Sequence, residues 1–440
     1  MILREITLED AKIWIEETDL GKILIKRQAL RGKILNVLDR YEQINIVGDS
    51  NLIPLTKEVA WKILDRIESG SSYSSAFIFH NVFSIADPVI KKSEMEHKYT
   101  STGIKFWQHQ QQMESYRADK PNSIISTHIS PEGACNLKCG YCSVTYRDTH
   151  SRIPLETIKQ YVVDLKSRGL GAVILTGGGE PTAYKYFNEL VQWIKNEMGL
   201  KVALITNGTL INKVSELTWK CFSWVRVSIN IFEGWEEKIS LPFDLLDSDC
   251  IVGCSMVFTA EHEATEQQTD NRISIFQKAS KIADRTGASY VRILPNCLLE
   301  QRELIIQHRA LERLLSKLDD KRFFQQWKIH GAPKSSVCHQ AYFRPYLSEE
   351  PFHENKLPGT VYPCDSIVLN HGYQHFAKEY QICHASNILK FLDRELEMKF
   401  NPKERCSGCV FTDNVNMLND WKESGIGKFS NTDLVHKEFV

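Results

Sequence analysis

Between Asn122 and about residue 320, short apolar runs alternate six times with amphipathic stretches, and this restricts the fold more than any other feature of the chain. The expected strands are Ile124–Ile129, Ala172–Thr176, Val202–Thr206, Val225–Asn230, Val252–Phe258 and Tyr290–Leu294. Apolar spacing of three and four residues predicts helices over Leu155–Ser167, Phe187–Met198, Lys213–Cys221, Ile273–Thr286 and Arg302–Leu318. Strand and helix units in this order build a parallel sheet covered by helices, an α/β fold. In such sheets the chemistry sits at the carboxyl ends of the strands.

The loop after the first expected strand carries Cys135, Cys139 and Cys142 in a C-x3-C-x2-C spacing. Three thiolates fall one short of the set that a complete iron–sulfur cluster or a closed structural zinc takes, and no fourth Cys or His follows within the next few residues. A cluster held there keeps one iron open for a reaction. Zinc, or three unrelated buried cysteines, is the competing reading.

One βα unit later the chain reads Thr176-Gly177-Gly178-Gly179-Glu180-Pro181-Thr182, where glycines allow a sharp turn and bring the backbone close to a ligand. The third strand ends in Thr206-Asn207-Gly208, another polar tip. The fourth ends in Ser228-Ile229-Asn230, and the two-residue period of a strand sets Ser228 and Asn230 on one face, the expected barrel interior. Arg292, in the sixth strand, suits a carboxylate or another anionic group, with a structural ion pair as an equal alternative. Farther on lie Cys338, Gly359-x4-Cys364, Cys383 and Cys406-x2-Cys409. A CxxC with two upstream cysteines gives four thiolates, enough for a complete cluster; zinc accepts the same set.

The C-x3-C-x2-C spacing with Tyr141 before its third cysteine, followed one unit later by Gly178-Gly179-Glu180, resembles the radical S-adenosylmethionine (radical SAM) superfamily over roughly residues 122 to 320. That resemblance implies a partial (β/α)6 barrel. It also implies a [4Fe-4S] cluster on Cys135, Cys139 and Cys142 whose open iron binds the amino and carboxylate groups of SAM, and whose reduction yields a 5'-deoxyadenosyl radical. Gly178, Gly179 and Glu180 match the motif that holds the methionine ammonium, and Tyr141 matches the aromatic position near the adenine. Asn207, Ser228, Asn230 and Arg292 become cofactor-binding candidates.

The downstream cysteines resemble the twitch extension, a shortened relative of the SPASM domain. This implies an auxiliary [4Fe-4S] cluster with ligands Cys338, Cys364, Cys406 and Cys409, and no second auxiliary cluster because no cysteine follows Cys409. Asp365, directly after Cys364, matches the carboxylate proposed as a base in sulfatase-maturating relatives. Cys383 stands outside the four and is read as a spare ligand, a hydrogen-atom donor or, above these, a buried thiol. His339 and His384 have weaker claims.

The expected domains are a mainly helical region of unassigned role at 1–120, the barrel at 121–325 and the auxiliary-cluster domain at 326–440. Within the first, helices are expected at Ala11–Glu17, Ile23–Asp39 and Lys57–Ile67, with a short strand at Phe77–Phe79. With 42% hydrophobic and 25% charged residues and a formal net charge of -1, the 440-residue chain has the balance of a soluble globular protein. Broad nucleic-acid binding is not indicated, although a basic stretch runs from Lys22 to Arg40. The absence of an apolar leader or a long apolar run leads to the expectation of a cytoplasmic protein with no membrane partner. Twelve cysteines in that setting point to metal ligation.

The substrate expected first is a peptide or protein undergoing oxidation, cross-linking or epimerisation. The alternatives are a nucleotide, nucleic-acid base or aminosugar, and, from another class, a metal-binding protein without turnover. A flavodoxin or ferredoxin is the expected reducing partner.

Overall fold

In the computed structural model the described residues are 43–48, 51–56, 93–144, 147–229, 241–258, 266–299, 301–328, 331–367, 378–406, 408–425 and 437–440. The chain divides into two compact units, Met1–Lys91 and Lys92–Val440. In the first, β1 (Gln43–Gly48) and β2 (Asn51–Thr56) pair antiparallel, with Gln43 opposite Thr56 and Gly48 opposite Asn51. The alternation of polar residues with Ile44 and Ile46 suits a strand, a hairpin the sequence reading did not anticipate. The helices expected at 11–17, 23–39 and 57–67 and the strand at 77–79 lie outside the described residues.

The second unit opens with α1 (Glu94–Tyr99), capped by the Ser93 side chain accepting from the Glu96 N–H, and α2 (Gln110–Arg117). Its six expected strands form with small shifts at their ends: β3 (Ser126–Ile129), β4 (Ala172–Leu175), β5 (Lys201–Thr206), β6 (Phe222–Ser228), β7 (Ile251–Phe258) and β8 (Tyr290–Pro295). They pair in parallel in sequence order, and β9 (Phe323–Gln325) adds a further parallel strand beside β8.

Three strands come from the cysteine-rich segment: β10 (Tyr346–Pro351), β11 (Pro358–Tyr362) and β12 (Cys383–His384). β10 lies parallel to β3, with Tyr346 opposite His128 and Leu347 opposite Ile129, while β11 and β12 follow antiparallel. The ten strands make one sheet in the order β12-β11-β10-β3-β4-β5-β6-β7-β8-β9. The cysteine-rich segment therefore continues the barrel sheet.

The helices cover this sheet through apolar stripes. α3 (Leu155–Lys166) buries Leu155, Ile158, Val162 and Leu165, and α4 (Phe187–Asn196) buries Phe187, Leu190, Val191 and Ile194, the i, i+3, i+4, i+7 pattern of one helix face. The helix expected at 213–221 is shorter, α5 (Glu216–Trp219), because Ser215 caps it by accepting from the Thr218 N–H. α6 (Glu266–Arg285) and α7 (Gln301–Leu315) match the last two expected helices. α8 (Ile388–Leu392), α9 (Pro402–Arg405) and α10 (Thr412–Ser424) belong to the cysteine-rich segment, and α10 stops at Gly425, whose φ of 67° is the left-handed conformation that glycine accepts without a Cβ clash.

The amino ends of the strands are closed from inside. Ala172, Ile174, Ala203 and Trp224 form an apolar floor with Phe439, whose ring meets Trp224 edge-on at 5.3 Å. Residues 437–440 are held there by His109 Nε2 bonding to the Lys437 carbonyl at 2.8 Å and by Lys201 Nζ donating to Glu438 Oε1 at 2.8 Å. The opposite ends of the strands carry the cysteine and glycine loops.

Candidate active site

The cysteine loop leaves β3 and the glycine loop leaves β4, and the two are zipped together by backbone bonds. Gly178 N–H donates to Ser130 Oγ at 2.6 Å, Gly179 N–H to the Glu132 carbonyl at 2.9 Å and Glu180 N–H to the Ala134 carbonyl at 2.8 Å. Glycine is needed for this approach: a Cβ on Gly178 would stand 1.9 Å from Glu349 Oε1, and one on Gly179 would stand 2.1 Å from the Ala134 carbonyl oxygen. Glu349, from β10, is almost fully buried, and burial pushes its carboxyl up to about 7.

The Glu180 carboxylate is buried and turned toward the end of β5. It accepts from Thr182 N–H at 3.1 Å, Thr182 Oγ1 at 2.6 Å, Thr206 Oγ1 at 2.6 Å and Asn207 N–H at 2.8 Å. Burial raises its pKa while those donors oppose the rise. Asn207 continues the chain of contacts to the cysteines, donating from Nδ2 to Asn136 Oδ1 at 3.0 Å and reaching Cys135 Sγ at 3.9 Å. Arg147 braces the other side, with Nη1 3.5 Å from Cys142 Sγ and Nε donating to the Gly133 carbonyl at 2.8 Å. Cys135, Cys139 and Cys142 are half-exposed and not disulfide-bonded, and burial raises the pKa of Cys135 while the Leu137 N–H and then Arg147 oppose the rise. Tyr141 lies half-exposed in the same loop.

The second cysteine set is also brought together. Cys338 feels Cys406 and Cys409, Cys364 feels Cys338 and Cys409, and Cys406 feels Cys364 and Cys409; burial first, and then these neighbouring thiols, raise the pKa of each of the three. Among the described residues, no three Cys, His, Asp or Glu side chains converge as tightly as a single metal ion requires. Cys383 stands apart on β12, pushed up to about 12 by burial alone. His339 is engaged by Tyr116, Ser335 and Asn419, and His384 caps Ser386 N–H and bonds to the Pro358 carbonyl.

Asp365 points into the barrel, where Arg344 Nη2 donates to its Oδ1 at 2.8 Å and His128 Nδ1 lies 3.2 Å from its Oδ2. Burial alone would raise its pKa, but Arg344 and then His128 hold it well below the usual carboxylate range. Burial, and then Arg344, take His128 down to about 4, so its ring is neutral at pH 7. Arg292 projects from β8 into the same interior, with Nη1 donating to Gln326 Oε1 at 2.8 Å. Ser228 is half-buried at the end of β6, opposite Ser255 of β7, and Asn230 lies outside the described residues.

Residues 129–240 match the family described as the Radical SAM superfamily. This stretch is a radical SAM domain. A match of 33% identity over 87 residues joins it to an S-adenosylmethionine-dependent nucleotide dehydratase of Selenomonas ruminantium, covering 20% of this chain and 30% of that protein. A second, 31% over 126 residues, joins it to a probable GTP 3',8-cyclase of Pyrococcus abyssi, covering 28% and 40%. The matched part of the chain thus spans well under half the length of these curated relatives. Among solved structures, SuiB of Streptococcus suis bound to S-adenosylmethionine aligns over 84% of this chain and 85% of its own, with 13% identity and a TM-score of 0.43.

The radical SAM domain includes the cysteine and glycine loops and the β6 strand end that sequence reading singled out. That reading passed over Arg226, His128 and Arg344. Arg226 sits two residues before Ser228 on β6, so the same two-residue period that put Ser228 inside also puts Arg226 inside. His128 shared no motif, and Arg344 precedes a strand whose sequence gave no signal.

Proposed function

We propose that the chain is a radical SAM enzyme whose substrate enters the barrel interior between the Cys135–Cys142 loop and Asp365. The observation that carries this is the zipping of the three-thiol loop to the Gly178–Glu180 loop at the carboxyl ends of adjacent strands. The donor set fits the cofactor: three thiols outside any disulfide, N–H donors at Cys135 and Cys142, and no fourth Cys or His beside them in sequence. When bound, a [4Fe-4S] cluster with SAM supplies one-electron cleavage of SAM and hydrogen-atom abstraction from substrate carbon.

In this reading Glu180 fixes the glycine loop through Thr182, Thr206 and Asn207, so that the loop's backbone groups face the methionine ammonium. Tyr141, Asn207, Ser228 and Asn230 remain the proposed contacts for the rest of SAM, and Arg292 is assigned to an anionic group, the SAM carboxylate or one on the substrate. Cys338, Cys364, Cys406 and Cys409 hold a second [4Fe-4S] cluster beside Asp365, the candidate proton acceptor, and Cys383 is a buried thiol. We assign 121–325 to the barrel and 326–440 to the auxiliary-cluster segment, and a flavodoxin or ferredoxin as electron donor.

Among the substrate classes, we favour a small anionic molecule over the peptide that the sequence first suggested. The matched relatives are named for nucleotide chemistry, and the interior is cationic. The enzyme reading is tested by anaerobic reconstitution with iron and sulfide, reduction with dithionite, and chromatography for 5'-deoxyadenosine. Wild type is expected to form it from SAM and Cys139→Ala to form none; equal yields from both proteins would overturn the assignment.

A further inference from the structure

A partly open pocket of about 80 Å³ lies inside the barrel, reaching from Phe439 and Trp224 near the strand starts to Asp365 and Phe411 of the cysteine-rich segment. Five basic side chains line it, Lys105, Arg226, Arg292, Lys328 and Arg344, against the single carboxylate of Asp365. Arg344 is the basic group that pairs with that carboxylate. Arg292 donates to the neutral Gln326, and the guanidinium of Arg226 lies 5.2 Å from the Trp224 ring centre. Among the described residues neither has a carboxylate within ion-pair distance.

Among the described residues four guanidinium nitrogens are buried with no hydrogen-bond partner, and three of them belong to residues that line this pocket: Nε of Arg226, Nε of Arg292 and Nη1 of Arg344, the fourth being Nε of Arg394 elsewhere. Buried polar groups are nearly always satisfied, and unpaired buried charge is costly, so a pocket ringed by basic side chains with one carboxylate among them favours an anionic occupant. Burial, and then the neighbouring Arg226, depress Arg292 well below its ordinary pKa, and burial lowers Lys328. Bringing in negative charge removes that strain. Planar guanidinium forks combined with point-charge ammonium groups are the set that phosphate oxygens match.

We propose that this pocket binds the phosphate chain of a phosphorylated small-molecule substrate, with Arg226, Arg292 and Lys328 as its principal contacts. The proposal rests on the radical SAM reading for the pocket being the substrate site. SAM itself is a poor occupant: its sulfonium and ammonium outweigh its carboxylate, and it carries net positive charge into a cationic space. Its one carboxylate is nevertheless the rival source of an anion for Arg292, and the experiment separates the two.

The test is equilibrium binding to the reconstituted full chain under anaerobic conditions at constant ionic strength. Inorganic tripolyphosphate, GTP, guanosine and SAM are titrated separately by calorimetry. Wild type is expected to bind tripolyphosphate and GTP, with tripolyphosphate displacing GTP, and to bind guanosine at least tenfold more weakly. Arg226→Gln and Lys328→Gln should each raise the tripolyphosphate Kd at least tenfold and the SAM Kd much less. Should Arg226→Gln fold poorly, Arg226→Lys should show an intermediate loss for tripolyphosphate.

No tripolyphosphate binding by wild type, or parallel losses for tripolyphosphate and SAM across the variants, would overturn the proposal. The second pattern would assign the cations to the SAM carboxylate. Formation of 5'-deoxyadenosine in the same preparation reports separately on the radical SAM reading, so either can fail without the other.

Discussion

Lys105 is the clearest single-residue consequence of the barrel's cationic interior. It is 1% exposed, and burial takes its pKa from 10.5 down to about 7, with Glu438 opposing the drop and Arg226 adding to it. Between about 7 and 10.5 the unfolded chain binds a proton at this lysine that the folded chain does not. Stability from this group therefore rises with pH through that window, and below it the full penalty remains. Urea unfolding of the protein free of added anions, followed from pH 7 to 10, should show the difference in stability between wild type and Lys105→Met shifting in favour of wild type as pH rises. A difference that does not change with pH would contradict the assigned burial. Nothing in the sequence marked Lys105, because it lies in a 3-10 helix, Gly103–Gln108, too short for a periodicity to assign a face. Arg226 was legible and missed, since Val225-Arg226-Val227 alternates like any half-buried strand.

At the scale of elements, the glycine loop and β10 depend on each other. The motif Gly178-Gly179-Glu180 was readable as a chemical signal, but its reason for being glycine was not: the space a Cβ would take is filled by Glu349, far away in sequence. β10 itself was invisible to pattern reading. Tyr-Leu-Ser-Glu-Glu-Pro has little apolar alternation and ends in proline, and it becomes a strand because β3 offers it a parallel edge. Gly178→Ala should thus push the loop from its seat and weaken SAM binding at least tenfold. The pair Gly178→Ala/Glu349→Ala should recover much of that affinity, because the atom in the way is the end of a side chain. Titration of SAM into the three proteins checks this, and a double variant as weak as Gly178→Ala would show that the loop conformation, not the contact, is at fault.

For the whole molecule, the βα alternation was legible because each strand and helix carries its own period, whereas the closing pieces were not. Residues 437–440 and β9 to β12 gain their form from the barrel they complete, so no local pattern announces them. The two cysteine sets follow the same division: the first is readable from spacing alone, while the second spans Cys338 to Cys409 and needs the sheet extension to bring its members near one another. Cys338, Cys364, Cys406 and Cys409 sense one another, and Cys383, though between them in sequence, is held away on β12. Iron analysis after anaerobic reconstitution should therefore give about eight iron atoms per chain for two [4Fe-4S] clusters. Cys406→Ala should lower the count by about four, as should Cys139→Ala. Cys383→Ala should leave it unchanged, since its thiol packs against the α3 side of the sheet near Tyr161 and shares no field with the other four. Loss of iron in Cys383→Ala together with full iron in Cys338→Ala would mean that the ligand set is drawn wrongly and that β12 contributes a thiolate.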